Sequence, residues 1–554
     1  MAKVIRIIPA LLTLLLIGCA GQFPPSGGPV DTTPPKIVSS YPTVNQVNFH
    51  SREIRIKFDK YMVEQSVEGS IYFPPFDMKD LQFDWSGKEI DIEVNKPYDT
   101  NRTYILTIGA RAQDTRGNYL GKAFNIVFST GAHVDTGMVT GRVYAEKAQP
   151  YTVAAFPVTP EIDTLHPGNL LPRYVTQSDD SGRYVLQGLA IGKYRLICFD
   201  DQMRNFKYAQ QVDLYSSATH DVEVTPTEQE VPNIDFALGI EDTSRPQLYS
   251  AELANDGLIL LKFSEPIDTA HVQPAFFVVR DSVTGDTIPV NFAARLESNE
   301  YNTIIRTQSP LRLHTKYFIT ATASIRDLAQ NPMSTENSRV AIQPDSASAK
   351  ISPYFFSFAD SLKGVTSYDT MFCQFVFPSV DGFPTSPEVS LLDSSRKAMS
   401  GYVTRESPTM FGVRLGNLVP SEWYAVRLSY RAHDGEGGKD SVVTRRFMMA
   451  DSTTLGDVEG NVTPVTSKER IVVVADRQGG KDFYVFADSS GAFKLDGILA
   501  GTYTLRAYFQ HGNGMKYYYG KSYPYRFAEP FGVYKDQVKV RARWTTEGVT
   551  IGIH

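Results

Sequence analysis

Short runs in which apolar and polar residues alternate recur along the whole chain. Ile54-Arg55-Ile56-Lys57-Phe58 and Arg183-Tyr184-Val185-Leu186 are typical. A period of two sends successive side chains to opposite faces of a strand, so each run predicts a half-buried β-strand. Val, Ile, Thr and aromatic residues fill these runs, and the chain holds 30 Tyr and 32 Phe. That is strand composition. Beyond residue 18 no stretch of a dozen residues keeps a helical apolar period, so the expected fold class is all-β.

Two kinds of repeat organise the strands. The first opens with Asp31-Thr32-Thr33-Pro34-Pro35 and returns as Asp242-Thr243-Ser244-Arg245-Pro246. A strand follows in each copy, ending in Phe58-Asp59-Lys60 and in Phe263-Ser264-Glu265-Pro266. Tyr104 then leads to Asp114 and Asn118, and Tyr317 leads to Asp327 and Asn331, at the same spacing in both copies. A third, worn copy keeps the step from Tyr424 to Asp434 but has Gly438 in place of the Asn. A Tyr placed so can bury its ring and hydrogen-bond its hydroxyl back to the backbone, as in the tyrosine corner. Asp and Asn serve the turn by bonding nearby amides, a structural role. These segments resemble the bacterial Ig-like domain of S-layer-type and envelope proteins, well in the first two copies and weakly in the third.

The second repeat is gapless. Asp179-Asp180-Ser181-Gly182-Arg183-Tyr184-Val185-Leu186 through Leu196 matches Asp488-Ser489-Ser490-Gly491-Ala492-Phe493-Lys494-Leu495 through Leu505. Each copy reads as turn, strand, glycine turn, strand. Gly182, Gly491, Gly192 and Gly501 suit left-handed turn positions. The pair resembles the carboxypeptidase-regulatory, transthyretin-like or Cna-B-like family, which implies small sandwiches without catalysis of their own.

The resulting plan is five tandem β-sandwich modules. Residues 36–133 and 241–346 are expected to be bacterial Ig-like, 349–451 a degenerate Ig-like sandwich, and 136–239 and 455–554 transthyretin-like. About 100 residues per module suits one sandwich.

The amino end is of another kind. Lys3 and Arg6 precede an apolar stretch from Ile7 to Ile17 that is too short to span a bilayer, so residues 1–18 read as a secretory signal. Its ending, Leu16-Ile17-Gly18-Cys19, resembles the lipobox of bacterial lipoproteins. That resemblance implies cleavage before Cys19, lipidation (palmitate among the chains) and anchoring in the outer membrane. Residues 19–35 are rich in Gly and Pro and form a tether. A free coil of ~15 residues spans roughly 20 Å, or about 50 Å when extended. Ala20 to Pro24 carry no acidic residue. The periplasmic face is therefore expected over the cell surface.

Charge and chemistry add mostly exclusions. The formal charge is −6, or −8 once Lys3 and Arg6 leave with the signal, and no Lys/Arg run occurs. Nucleic acid is therefore not an expected partner. Cys198 and Cys373 sit in apolar strand contexts in different modules and read as free buried thiols. No His/Cys cluster has metal spacing and no Gly-x-Ser-x-Gly elbow occurs, so neither a metal, a cofactor nor an enzyme activity is expected. Gly514 to Ser522 imitates a phosphate loop with one residue too many, and its three tyrosines suit a strand better. Asp200-Asp201-Gln202-Met203-Arg204-Asn205 offers oxygens to calcium but lacks the calcium-loop spacing, so a solvated Asx-turn is the expectation. Tyr517, Tyr518, Tyr519, Tyr523 and Tyr525 form the one candidate binding patch, with core residues among them as the plainer reading. The function expected is a non-enzymatic, lipid-anchored envelope lipoprotein. It would be a rigid row of sandwiches that scaffolds an outer-membrane protein assembly. A surface carbohydrate or nutrient binder is the alternative.

Overall fold

The computed structural model describes residues 30–164, 166–254, 258–345, 351–376, 387–432, 439–465, 469–477, 479–510 and 516–554. The signal segment, Cys19 and most of the tether lie outside the described residues, as do Asp434, Gly438 and Gly514. Among those described, the longest α-helix is Glu64–Glu68, so the protein is all-β.

Among the described residues ten sheets follow one another along the chain in five pairs, which we number units 1 to 5. Unit 1 runs from Ile37–Tyr41 to Phe124–Ser129, and unit 2 from Gly137–Tyr144 to Gly239–Ile240. Unit 3 spans Leu248–Leu253 to Arg339–Ile342, unit 4 Tyr354–Phe356 to Lys439–Met449, and unit 5 Leu455–Thr463 to Thr545–Gly552. Alternation becomes burial directly. In Glu53–Phe58 the residues Ile54, Ile56 and Phe58 are buried while Glu53, Arg55 and Lys57 face water.

Units 1 and 3 share one strand order. Ile37–Tyr41, Glu53–Phe58, Glu89–Val94 and Leu81–Ser86 correspond to Leu248–Leu253, Ile259–Phe263, Asn302–Thr307 and Val290–Arg295. Unit 4 keeps the same antiparallel four-stranded order in its first sheet, although its turn motif is worn. The tyrosine corner is present in all three. The hydroxyls of Tyr104, Tyr317 and Tyr424 accept from the amides of Asp99, Arg312 and Val419 at 2.6, 3.0 and 2.9 Å.

Units 2 and 5 share a second topology, in which a strand from the end region of the unit pairs in parallel with the first. Glu230–Val231 lies on Gly137–Tyr144, and Thr545–Gly552 on Leu455–Thr463. Asp179 and Asp488 each accept the amides two and four residues on. Gly182 and Gly491 take the left-handed conformation at those turns. Gly501 does not. The left-handed glycines of the following connection are Gly188 and Gly497, each near a register shift between the first strand and its partner. A β-bulge asks for that conformation, whereas the turn itself does not.

The units do not form a row. Ile105 and Val127 of unit 1 belong to the core of unit 2, and the Tyr72 hydroxyl donates to the Pro172 carbonyl at 2.6 Å. Units 3 and 4 share one continuous core that runs from Leu258 and Ile304 to Phe375 and Phe447. Tyr368 of unit 4 packs on Phe483 of unit 5, and its hydroxyl accepts from the Asp496 amide. Unit 5 then docks back on unit 2 and closes units 2 to 5 into a loop. Sequence spacing specifies each sandwich but says nothing of surfaces that meet 300 residues apart, so the expected row is corrected here. Cys198 and Cys373 are buried, free thiols in units 2 and 4.

Candidate functional site

The candidate site is the seam where unit 5 meets unit 2. The segment from Lys516 to Ala528 leaves unit 5 as irregular chain, not as the expected strand, because its backbone groups bond to other partners. Tyr519 offers its carbonyl to the Ser217 amide at 3.1 Å, and the Ala528 amide donates to the Ala218 carbonyl at 3.2 Å. The Ser217 hydroxyl donates to the Arg526 carbonyl at 3.0 Å. Glu241, in the linker after unit 2, is buried and accepts from the Tyr208 hydroxyl at 2.7 Å and the Ser522 amide at 2.8 Å. A buried carboxylate with two donors is a satisfied one.

The five tyrosines of the candidate patch take different places. Tyr525 is buried in an apolar cluster of unit 2 with Phe156, Ile197 and Tyr215, and the Arg195 guanidinium lies 4.1 Å from its ring centre. Burial pushes its hydroxyl pKa well above the usual value. Tyr517 is also buried, between Tyr508 and Phe531, and donates to the Glu529 carbonyl at 2.8 Å. Tyr519 is half-buried with its ring against Gly239 of unit 2, where a Cβ would collide with it. Tyr518 is half-buried, and Tyr523 is 48% exposed. Most of the patch thus meets the protein's own second unit.

Arg195 is the residue that sequence reasoning passed over. It is 6% exposed, pairs with Asp221 at 2.9 Å and also contacts Asp163. Burial disfavours its charge, but the hydrogen bonds it donates to Asp221 and Asp163 outweigh that and hold its pKa above the ordinary value. One signal was available: a charged residue inside the apolar run Tyr194-Arg195-Leu196-Ile197, where the aligned residue of the other copy is Thr504. Glu241 and Ser522 gave no such signal.

Beside the seam lies a cleft of about 970 Å³. Tyr144, Tyr508, Tyr517, Tyr519 and Phe531 supply its aromatic wall, and Arg142, Lys147, Asp180, Asp482 and Arg506 its polar rim. Tyr144 and Phe531 meet edge to face at 5.6 Å across the two units. Asp476 and Arg506 pair at 2.8 Å. Burial, with Asp482 nearby, keeps the Asp476 carboxyl above its usual pKa despite that arginine. Aromatic faces beside hydrogen-bonding groups can take a sugar ring or a peptide side chain.

The Asp200–Asn205 segment is an Asx-type turn whose residues Gln202 to Asn205 face water, while the Asp200 and Asp201 side chains turn inward and are buried. Asp201 accepts from the Asn205 and Phe206 amides, Asp200 from the Leu214 amide, and Asp213 from those of Gln202 and Ala209. Burial raises the pKa of Asp201 and of Asp213. Their oxygens hold backbone together at the unit 1 side of unit 2. No helix among the described residues is long and apolar enough to cross a membrane.

Residues 31–130 and 241–358, which take in units 1 and 3, match the bacterial Ig-like domain model. No curated protein matches the chain. Among solved structures, similarity extends to the N-terminal part of the bacterial S-layer protein SbsC, at 11% identity and a TM-score of 0.18. That alignment covers 37% of this chain and 44% of that one. An L,D-transpeptidase from Mycobacterium smegmatis aligns at 14% identity and a TM-score of 0.15, over 48% of this chain and 76% of that one. BcpA, the major pilin subunit of Bacillus cereus, aligns at 10% identity and a TM-score of 0.12, over 76% and 99% respectively.

Proposed function

We propose that the protein is a non-enzymatic lipoprotein of the cell envelope. Cys19 anchors it to the outer membrane, on the periplasmic face, and its body scaffolds an outer-membrane protein assembly. The observation that carries this reading is the interlocked body itself: units joined by shared cores and closed by the seam between units 2 and 5. A scaffold needs rigid spacing, and such joints supply it. Its free sheet edges suit strand addition by a protein partner. The edge strand Ile37–Tyr41, next to the tether, leaves Val38 62% and Tyr41 44% exposed. Crosslinking the tagged protein in intact cells and identifying the adducts tests the reading. A β-barrel protein as the main adduct is expected; its absence from the adducts sinks the scaffold.

The aromatic cleft between units 2 and 5 favours a second reading, a binder of surface carbohydrate. Retention on immobilised glycans without any protein adduct separates it from the first.

A further inference from the structure

Units 1 and 3 build the same corner from the same parts. In unit 1 the Asn118 side chain donates to the Asp31 carbonyl and to Asp114 Oδ2, both at 3.0 Å. In unit 3 Asn331 donates to the Asp242 carbonyl and to Asp327 Oδ2, again both at 3.0 Å. The Asp114 and Asp327 carboxylates each take the amide of that Asn, at 2.8 and 2.7 Å. Met62 bridges Asp114 as Ile267 bridges Asp327. Two residues after the strand-ending Phe58 and Phe263 come Lys60 and Glu265, which therefore occupy equivalent places.

That substitution reverses the charge of one corner. In unit 1 the Lys60 ammonium sits between the two aspartates, 2.8 Å from Asp31 Oδ2 and 3.4 Å from Asp114 Oδ2, and also contacts the Thr33 carbonyl. The protein's own cation thus fastens the entering chain to the sandwich. In unit 3 the same two aspartates meet a third carboxylate, and oxygens of Asp242, Glu265 and Asp327 lie within 4.8 Å of one another. Asp327 is 1% exposed. Three ionised carboxylates at that distance repel one another when nothing lies between them.

We infer that unit 3 binds a calcium ion between Asp242, Glu265 and Asp327, in the place that the Lys60 ammonium fills in unit 1. Calcium takes six to eight oxygens at about 2.3–2.6 Å, so oxygens on opposite sides of one ion stand about 4.8 Å apart. Ser244 is the sequence counterpart of Thr33, whose carbonyl Lys60 contacts in unit 1, and water completes the shell. The ion does for the linker between units 2 and 3 what Lys60 does for the end of the tether. Because Asp242 follows Glu241, it also steadies the carboxylate that holds Ser522 of unit 5.

The test is calorimetric titration and melting of the full chain in detergent, with calcium chloride added after chelation. One saturable site with a midpoint of roughly 0.1–1 mM, the range of extracellular modules, is expected, together with a rise in melting temperature. Glu265→Lys is expected to abolish that binding and to melt in chelator like the calcium-loaded parent. Glu265→Gln, a milder change, is expected to lose binding without gaining stability. Lys60→Glu is expected to add a second calcium-dependent site. The inference is overturned if the parent shows neither heat nor a melting shift up to 10-fold above that range, or if Glu265→Lys binds calcium as the parent does.

Discussion

Tyr525→Ala separates the seam from the sandwiches it joins. The ring belongs to unit 5 by sequence, yet it packs in the apolar cluster of unit 2 beneath Arg195. Removing it therefore leaves the central core of unit 5, around Val473 and Leu505, untouched. Truncating a buried aromatic costs about 3–5 kcal/mol, and a desolvated cation–π contact is about 2 kcal/mol of that. What remains of the seam is a few hydrogen bonds worth about 0.5–1.5 kcal/mol each. A loss of about 3 kcal/mol raises the undocked fraction roughly 100-fold. Amide hydrogen exchange reads this directly, because Ser217, Ser522 and Ala528 donate across the seam. Protection of these three amides is expected to fall by about two orders of magnitude, with Val473 and Leu505 unchanged. Tyr525→Phe keeps the ring over the arginine and is expected to change protection less than tenfold. Equal loss in the central strands of unit 5, or no loss at the seam, refutes the docking argument.

Gly239→Val drives a side chain into the Tyr519 ring and is expected to open the same seam, visible as new protease cleavage between residues 516 and 528. Lys60→Met tests the first corner. Hydrogen bonding to Lys60 and Thr33 holds the Asp31 carboxyl down at about 2. Its contribution to stability is present above the ordinary value of 3.8 and fades as pH falls through about 2. In the variant Asp31 is expected to titrate closer to 3.8, as read by carboxyl NMR shifts. Cys19→Ala is expected to release a folded, soluble protein, because two or more acyl chains are needed for lasting anchorage; retention in the membrane fraction contradicts the proposed lipid anchor. Tyr523→Ala probes binding at the most exposed tyrosine of the run, removing from the seam only a ring contact with His166 at 5.9 Å. Undiminished glycan or partner binding excludes it as a contact.

Local rules made the strands and turns legible. Alternation marked Ile54, Ile56 and Phe58 as one buried face. The spacing from Tyr104 to Asp114 and Asn118 exposed both the tyrosine corner and the Asx turn. Equal spacing in two copies also placed Lys60 and Glu265 at the same position, though their opposite charges gain meaning only once the corner is folded. The seam was not legible. Tyr525 and Arg195 lie 330 positions apart, as the residue numbers show. A tyrosine that will be buried against another unit has the same local pattern as one that will face solvent. Gly188 and Gly501 show a finer limit: turn chemistry located glycines, but only strand register decided which of them turns left-handed.

Closure of the chain narrows where a partner can bind. Arg195 is a buried cation whose two acidic partners lie in its own unit 2, whereas its aromatic cover, Tyr525 and Phe527, comes from unit 5 in the docked state. Undocking would strip Tyr525 and Phe527 from it and expose the apolar cluster around Phe156 and Ile197. Such a surface suits burial, so the docked form is the one a partner meets. The aromatic run is then largely consumed within the molecule, and only its rim at Tyr523 and Phe527 faces outward. What stays open is the cleft beside the seam and the edge strand Ile37–Tyr41, at the end of the molecule that the tether reaches first. If Cys19 carries the proposed anchor, a partner embedded in the membrane would meet that edge before any other unit. Charged substitutions at Val38 and Tyr41 should therefore weaken a membrane-protein partner while leaving glycan retention intact, and substitution of the half-buried Tyr144 should do the reverse.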